Sequence, residues 1–144
     1  MDADRLSKTL TQLEGTAAAD RDGPDYPSFL GAECHRLRGV PIGRFSVENL
    51  RIMIGQGRGL RYLVPLAIDR LEADPFVAGD FHDGDLLLAV SRIDPAFWRA
   101  RPALAEAAKR IVRRAEAETD RRARLLRDEL LPIWKVRYDS LWNR

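Results

Sequence analysis

Cysteine and histidine are nearly missing from this chain. Its 144 residues include one cysteine, Cys34, and two histidines, His35 and His82. A single thiol cannot close an intrachain disulfide, so a covalently framed fold is excluded and a reducing compartment, the cytoplasm, is the expected location. So few soft ligands leave little from which to build a zinc site. Cys34 and His35 are adjacent, and adjacent positions on a helix point about 100° apart. They are therefore not a nucleophile–base pair, and Cys34 reads as a small core residue. No stretch approaches the roughly 20 apolar residues of a membrane span. The opening MDADRLSKTL has acids where a secretory leader needs bases, and no apolar run follows them. No alternating β-branched run reaches strand length. Gly-x-Ser-x-Gly and Gly-Lys-Ser/Thr motifs are absent as well.

Charge is plentiful, at 32% of residues, but nearly balanced: 24 bases against 22 acids give a formal +2. Its distribution is uneven. Residues 61–98 hold seven acids (Asp69, Glu72, Asp74, Asp80, Asp83, Asp85, Asp94) and three bases, whereas residues 99–144 hold thirteen bases and seven acids. An acidic middle followed by a basic tail predicts an electrically polar molecule. In the tail, acids are interleaved with the arginines. Glu118–Arg122 and Asp120–Arg124 have the favourable i,i+4 order, which reads as a salt-bridged, solvated helix face.

Apolar spacing of three and four residues recurs along the chain and predicts helices. Leu6, Leu10 and Leu13 share one face, with Asp4 as N-cap and Gly15 as stop. Ser28 caps a helix carrying Leu30, Cys34 and Leu37. Ser46 opens SVENLRIMIGQ, with Glu48 at its positive dipole end and Val47, Leu50, Met53 and Ile54 on the inner face. Gly55, Gly57 and Gly59 mark an interhelical turn. In LRYLVPLAIDRLEADP, Pro65 requires either a start near Tyr62 or a kink, and Asp74-Pro75 ends the helix. Residues 75–84 form a loop before the apolar LLLAVSRI, which begins at Asp85. Asp94-Pro95 and Pro102 start two further helices, and Pro132 kinks the last one. The expectation is an all-α, single-domain bundle spanning 1–144, of about six or seven helices, with a long, charged C-terminal helical segment.

Chemistry is hard to find in this pattern. GQGRG lacks the preceding strand and third glycine of a dinucleotide loop. DFHDGD at 80–85 lacks the twelve-residue frame of an EF-hand, and reads as a polar loop with a helix cap. No catalytic residue, metal ligand or cofactor site is assigned. Trp98, Trp134 and Trp142 read as core or interface anchors.

Residues 50–98 nevertheless carry a linked set of short motifs. They comprise Leu50-Arg51 with Ile54-Gly55-Gln56, then Leu60, Leu63, Pro65 and Ala67, then Pro75, Gly79-Asp80 and Gly84-Asp85-Leu86-Leu87, and finally Phe97-Trp98. Leu13-Glu14-Gly15 and Cys34-His35-Arg36-Leu37-Arg38 precede them. This pattern resembles immunity proteins of bacterial contact-dependent growth inhibition systems, over roughly residues 10–112. The chain departs from the family pattern at His82, where an aromatic is common, and at Asp83, where proline is frequent. No tryptophan follows Leu13-Glu14-Gly15, and the extension 113–144 is long.

The resemblance implies a non-enzymatic cytoplasmic protein that binds and neutralises a cognate toxin domain, with nucleases common among such toxins. It also implies that Leu50, Gly55, Gln56, Pro65, Gly84, Asp85, Phe97 and Trp98 form a fold motif. The local acid excess then places Glu72, Asp74, Asp80, His82, Asp83 and Asp85 on a toxin-facing surface opposed to a basic cleft, with helix capping as the alternative role of Asp80 and Asp85. A homodimer through residues 125–142 is a further possibility. The alternative function is a nucleic-acid-binding regulator acting through the basic C-terminal helix.

Overall fold

The computed structural model describes residues 3–15 and 28–118. The expectations for Pro132, the terminal tryptophans, the charged extension beyond 118, nucleic-acid binding by the tail and pairing through 125–142 lie outside these residues.

The described chain is all helix and turn. It has eight α-helices and one 3-10 helix: α1 (Ala3–Leu6), α2 (Leu10–Glu14), α3 (Phe29–Leu37), the 3-10 turn Ile42–Arg44, α4 (Val47–Gly55), α5 (Leu60–Ala73), α6 (Asp85–Ser91), α7 (Pro95–Arg99) and α8 (Pro102–Ala117). Among the described residues there is no strand, and no helix is long and apolar enough to cross a membrane. Six of the helices have nine residues or fewer.

Four of the eight α-helix starts are set by the side chains that the sequence places there. Ser28 Oγ accepts the Gly31 N–H at 2.9 Å, and Asp94 Oδ1 accepts the Ala96 N–H at 2.8 Å, with Pro95 as the first helical residue. At α4 the capping box closes through Asn49. Ser46 Oγ accepts the Asn49 N–H, and Asn49 Oδ1 accepts the Ser46 N–H in return. Reciprocal capping of this kind satisfies two donors that the helix itself cannot.

The first segment departs from expectation. The Leu6–Leu10–Leu13 spacing predicts one helix, but Thr9 interrupts it. Thr9 Oγ1 accepts the Gln12 N–H while the Gln12 side chain accepts the Thr9 N–H, so a second helix begins at Leu10. Asp4 lies inside α1 and pairs with Lys8 at 3.2 Å instead of capping. Local side-chain competition for the backbone outweighs periodicity over so short a stretch. Helix α5 begins at Leu60, earlier than expected, and carries Pro65 within its second turn. The turn before it falls on the alternate glycines, with Gly57 and Gly59 both at positive φ.

Helices α4 and α5 are the centre of the bundle. Helix α4 packs against α3, α5 and α6, and α5 also meets α6 and α8, while α7 rests on α8. Between them lies one core that includes Leu10, Leu37, Leu50, Met53, Leu63, Leu71, Leu86, Leu87 and Ile111, each under 2% exposed. The start of the chain is fastened to this core through Arg38. Its backbone oxygen accepts from the Thr11 N–H and hydroxyl, and its Nη1 donates to Glu14 at 2.7 Å.

Trp98 is fully buried, with the half-buried Phe97 ring edge-on at 5.3 Å. Replacing it with alanine removes the largest fully buried side chain among the described residues. Trp98→Ala is expected to cost about 3–5 kcal/mol, read as a shift of the urea midpoint at unchanged m-value; a midpoint that barely moves would refute its role as core anchor.

Candidate partner-binding surface

The loop between α5 and α6 has little apolar content at its tip, so polar groups must hold it. Its four successive amides, from Gly79 to His82, are all taken by two carboxylates. Asp85 Oδ1 accepts the Gly79 N–H at 2.6 Å, and its Oδ2 accepts those of Phe81 at 3.1 Å and His82 at 3.5 Å. The intervening Asp80 N–H turns the other way and donates to Glu48 Oε1 at 3.0 Å. Each carboxylate stands at the start of a helix, Glu48 in α4 and Asp85 in α6, where the helix dipole favours negative charge.

Arg51 joins the two. It donates through Nε and Nη2 to both oxygens of Glu48, at 2.6 and 2.5 Å, and its Nε lies 3.8 Å from Asp85. Hydrogen bonds between ionised groups are roughly twice as strong as neutral ones, and this fork holds Glu48 toward the loop. The Arg51 hydrogen bond is also the main reason that the Glu48 carboxyl titrates below its ordinary 4.5; partial burial opposes the shift and the Asp80 N–H reinforces it. The same contact raises Arg51 above its ordinary value.

Glycine is required at two places in this clasp. Gly84 enters α6 with φ +84°, a conformation that side chains resist. Gly79 passes between the carboxylates so closely that a Cβ there would lie 2.5 Å from Glu48 Oε1 and 3.1 Å from Asp85 Oδ2.

On the outer side of the clasp is a groove of about 470 Å³ between the start of α3, the outer face of α4 and the loop tip. Phe29 and Phe81 stand along it, 77% and 72% exposed, with Leu30 beside them at 40%. The Arg51 guanidinium lies 4.2 Å from the Phe81 ring centroid. The end of α4, Gly55 and Gln56, also lines the groove.

The acidic residues singled out in the sequence do not form one surface. Asp80, His82, Asp83 and Asp85 share the loop, but Asp85 is 3% exposed and its carboxylate faces the loop's own amides. Its carboxylate is thus engaged in fixing the loop. Asp74 accepts the Phe76 N–H at 3.0 Å and shapes the turn after α5. Glu72 is near the end of α5 beside the basic α8. Arg110 lies 3.5 Å from its carboxylate and Arg114 donates to its backbone oxygen at 2.6 Å. The charge separation along the sequence is thus partly cancelled where α8 folds back on α5. Asp80 is exposed; His82 and Asp83 are half-buried, and His82 Nδ1 lies 2.8 Å from the Asp83 backbone oxygen.

Among the motif residues, Leu50 and Trp98 are in the core, Gly84 and Asp85 build the clasp, and Gly55 and Gln56 edge the groove. Pro65 lies in α5, and Phe97 carries the Arg101 guanidinium 4.1 Å from its ring centroid. The sequence reading missed Phe29, Phe81 and the coupling of Glu48 to the loop. The Glu48–Arg51 spacing of three residues was a legible local signal, whereas the 32-residue reach from Glu48 to Asp80 was not. Among the described residues, no group of three His, Cys, Asp or Glu side chains is placed to hold a metal ion.

A family model described as CDI immunity proteins matches residues 17–108, which include the whole clasp and groove. No curated protein and no solved structure matches the chain.

Two outcomes follow from the clasp. Asp85→Ala strands three loop donors, and stranded buried donors cost about 1–3 kcal/mol each. We expect a loss of about 3 kcal/mol or more in urea unfolding, together with faster hydrogen exchange at the Gly79 and Phe81 amides. A loss below about 1 kcal/mol would show that the loop is held some other way. The second concerns acid. A carboxylate whose folded pKa is lowered stabilises the fold above its unfolded pKa, and this contribution disappears as pH falls through the folded value. Wild-type stability should therefore exceed that of Glu48→Gln at neutral pH, with the gap closing below the ordinary 4.5. A gap independent of pH would contradict this assignment.

Proposed function

Because the chain belongs to the family of CDI immunity proteins, we propose that it binds the C-terminal toxin domain delivered by a neighbouring cell and blocks it by occupying the surface that the toxin needs. It performs no chemistry of its own. The family match over residues 17–108 carries this reading. The clasped loop supports it, because a segment whose four consecutive amides are fixed internally offers a preformed face and loses little entropy on docking.

The acidic residues that stay accessible on that loop, Asp80 and Asp83 with His82 between them, are the electrostatic part of the proposed contact. Glu72, paired with Arg110, and Asp74, bonded to the Phe76 N–H, are at the end of α5 and stand outside this part of the contact. A toxin with a basic cleft, such as a nuclease, would be drawn to this edge, and the attraction would act mainly on association rate. Exposed charges separated by more than about 8–10 Å are screened at physiological salt, so the effect should fade as salt rises.

Two measurements test this reading. Cells producing the toxin domain encoded in the neighbouring reading frame should survive only when this chain is made, and the two proteins should co-elute as a complex. The double charge reversal Asp80→Lys, Asp83→Lys should slow association about tenfold or more at low salt and much less at high salt. An unchanged low-salt rate would remove the electrostatic part of the proposal, and absence of both protection and complex would remove the whole of it.

A further inference from the structure

The groove beside the clasp has an unusual combination of walls. Two phenylalanine rings and a leucine are left largely exposed along a concave surface of about 470 Å³. The charged groups there are two carboxylates and one guanidinium, with the buried Asp85 carboxylate behind them. Formally this is three negative charges against one positive.

The single cation is already committed. Arg51 spends two nitrogens on Glu48, and its planar face is against Phe81. Both Glu48 oxygens are taken as well, by Arg51 and by the Asp80 N–H. Asp80 differs. Its backbone N–H is bonded, but among the described residues its carboxylate accepts no hydrogen bond, and only the field of the Arg51 charge reaches it. Exposed aromatic rings beside a carboxylate with no hydrogen-bond donor have a complementary chemistry. The rings attract a cation to their faces, most strongly a planar guanidinium, and their edges accept the aliphatic stem below it. Phosphate groups are disfavoured by the local negative excess, which argues against nucleic acid or an anionic lipid surface.

We propose that this groove receives a basic side chain of the toxin domain, an arginine, with its stem between Phe29, Leu30 and Phe81 and its head at the Asp80 carboxylate. The proposal rests on the toxin-binding reading and identifies the anchor within it. Aromatic residues that desolvate an ion pair at the centre of an interface carry a disproportionate share of binding energy.

The test uses the full chain with two probes. The first is the capped tripeptide acetyl-Gly-Arg-Gly-amide, titrated while amide resonances are followed, against the same peptide with uncharged citrulline. The arginine peptide should move the Gln56, Asp80 and Phe81 amides, and the citrulline peptide should not. Asp80→Asn should weaken the arginine peptide about three- to fivefold, as loss of one exposed ion pair implies. Equal response to both peptides, or shifts confined to other regions, would overturn the proposal.

The second probe is the toxin domain. Phe81→Ala should weaken the complex at least about tenfold, with urea unfolding of the free variant close to wild type because the ring is exposed. A complex whose affinity ignores Phe81→Ala, Phe29→Ala and Asp80→Asn would overturn the groove assignment and leave the toxin-binding reading standing. Failure of the wild-type chain to bind the toxin domain at all would overturn that reading itself, and the peptide titration would still report on the groove. Concentration-dependent self-association abolished by Phe81→Ala would give the groove to a second copy of this chain and also defeat the proposal.

Discussion

A carboxylate at the start of α6, almost wholly removed from water, organises the loop and groove of this molecule. Burying such a group without compensation is prohibitive, and Asp85 is compensated only if the loop before it turns its amides inward. The constraint runs in both directions. The loop has no apolar anchor at its tip and needs the carboxylate; the carboxylate has no other set of donors and needs the loop. Glu48 takes the one amide that Asp85 cannot reach, and Arg51 ties the two acids together. As a result, the geometry of a surface loop is fixed by interactions reaching into α4 and α6, which pack on each other in the core.

Charge in this protein thus has two different uses. The buried and half-buried acids, Asp85 and Glu48, are structural, and their partners are backbone amides and one arginine. Asp80, exposed on the loop, takes part in the clasp through its backbone N–H. Counting acids along the sequence merges these classes. The arginines divide in the same way. Arg51 belongs to the clasp and Arg38 to the anchoring of α2, whereas Arg110 and Arg114 lie along the end of α5 and temper the acidic edge there. An ion pair as exposed as Glu72–Arg110 contributes little stability; its consequence is a local reduction of field.

How far the sequence could be read follows from the range of the interactions involved. Ser28, Ser46 and Asp94 cap helices through bonds spanning two or three residues, so each start was visible locally. The buried stripes of α4 and α8 follow the 3.6-residue period, and Leu50, Met53, Ala108, Ile111 and Ala115 are all buried. The single-helix reading of the first fourteen residues failed because the Thr9–Gln12 capping box competes at the same range as apolar spacing. The helix stripe at Leu30 failed for a tertiary reason. Its position is in phase with Cys34 and Leu37, yet it lies at the groove, where none of the described helices covers it. Burial of Asp85, and the presence of Phe29 and Phe81 along one groove, depend on contacts between distant segments that no local pattern encodes.

The shortness of the helices has a temporal implication. Isolated helices below roughly 12–15 residues are marginal in water, and most of those here fall below that length. Their persistence therefore rests on packing between elements, and α8, which packs on α5, comes last among the described elements. At ribosomal rates of about 5–20 residues per second, several seconds separate the synthesis of α1 from that of α8. A cell under attack is therefore shielded by the stock of finished molecules it already holds, and synthesis begun after a toxin arrives contributes only after that delay.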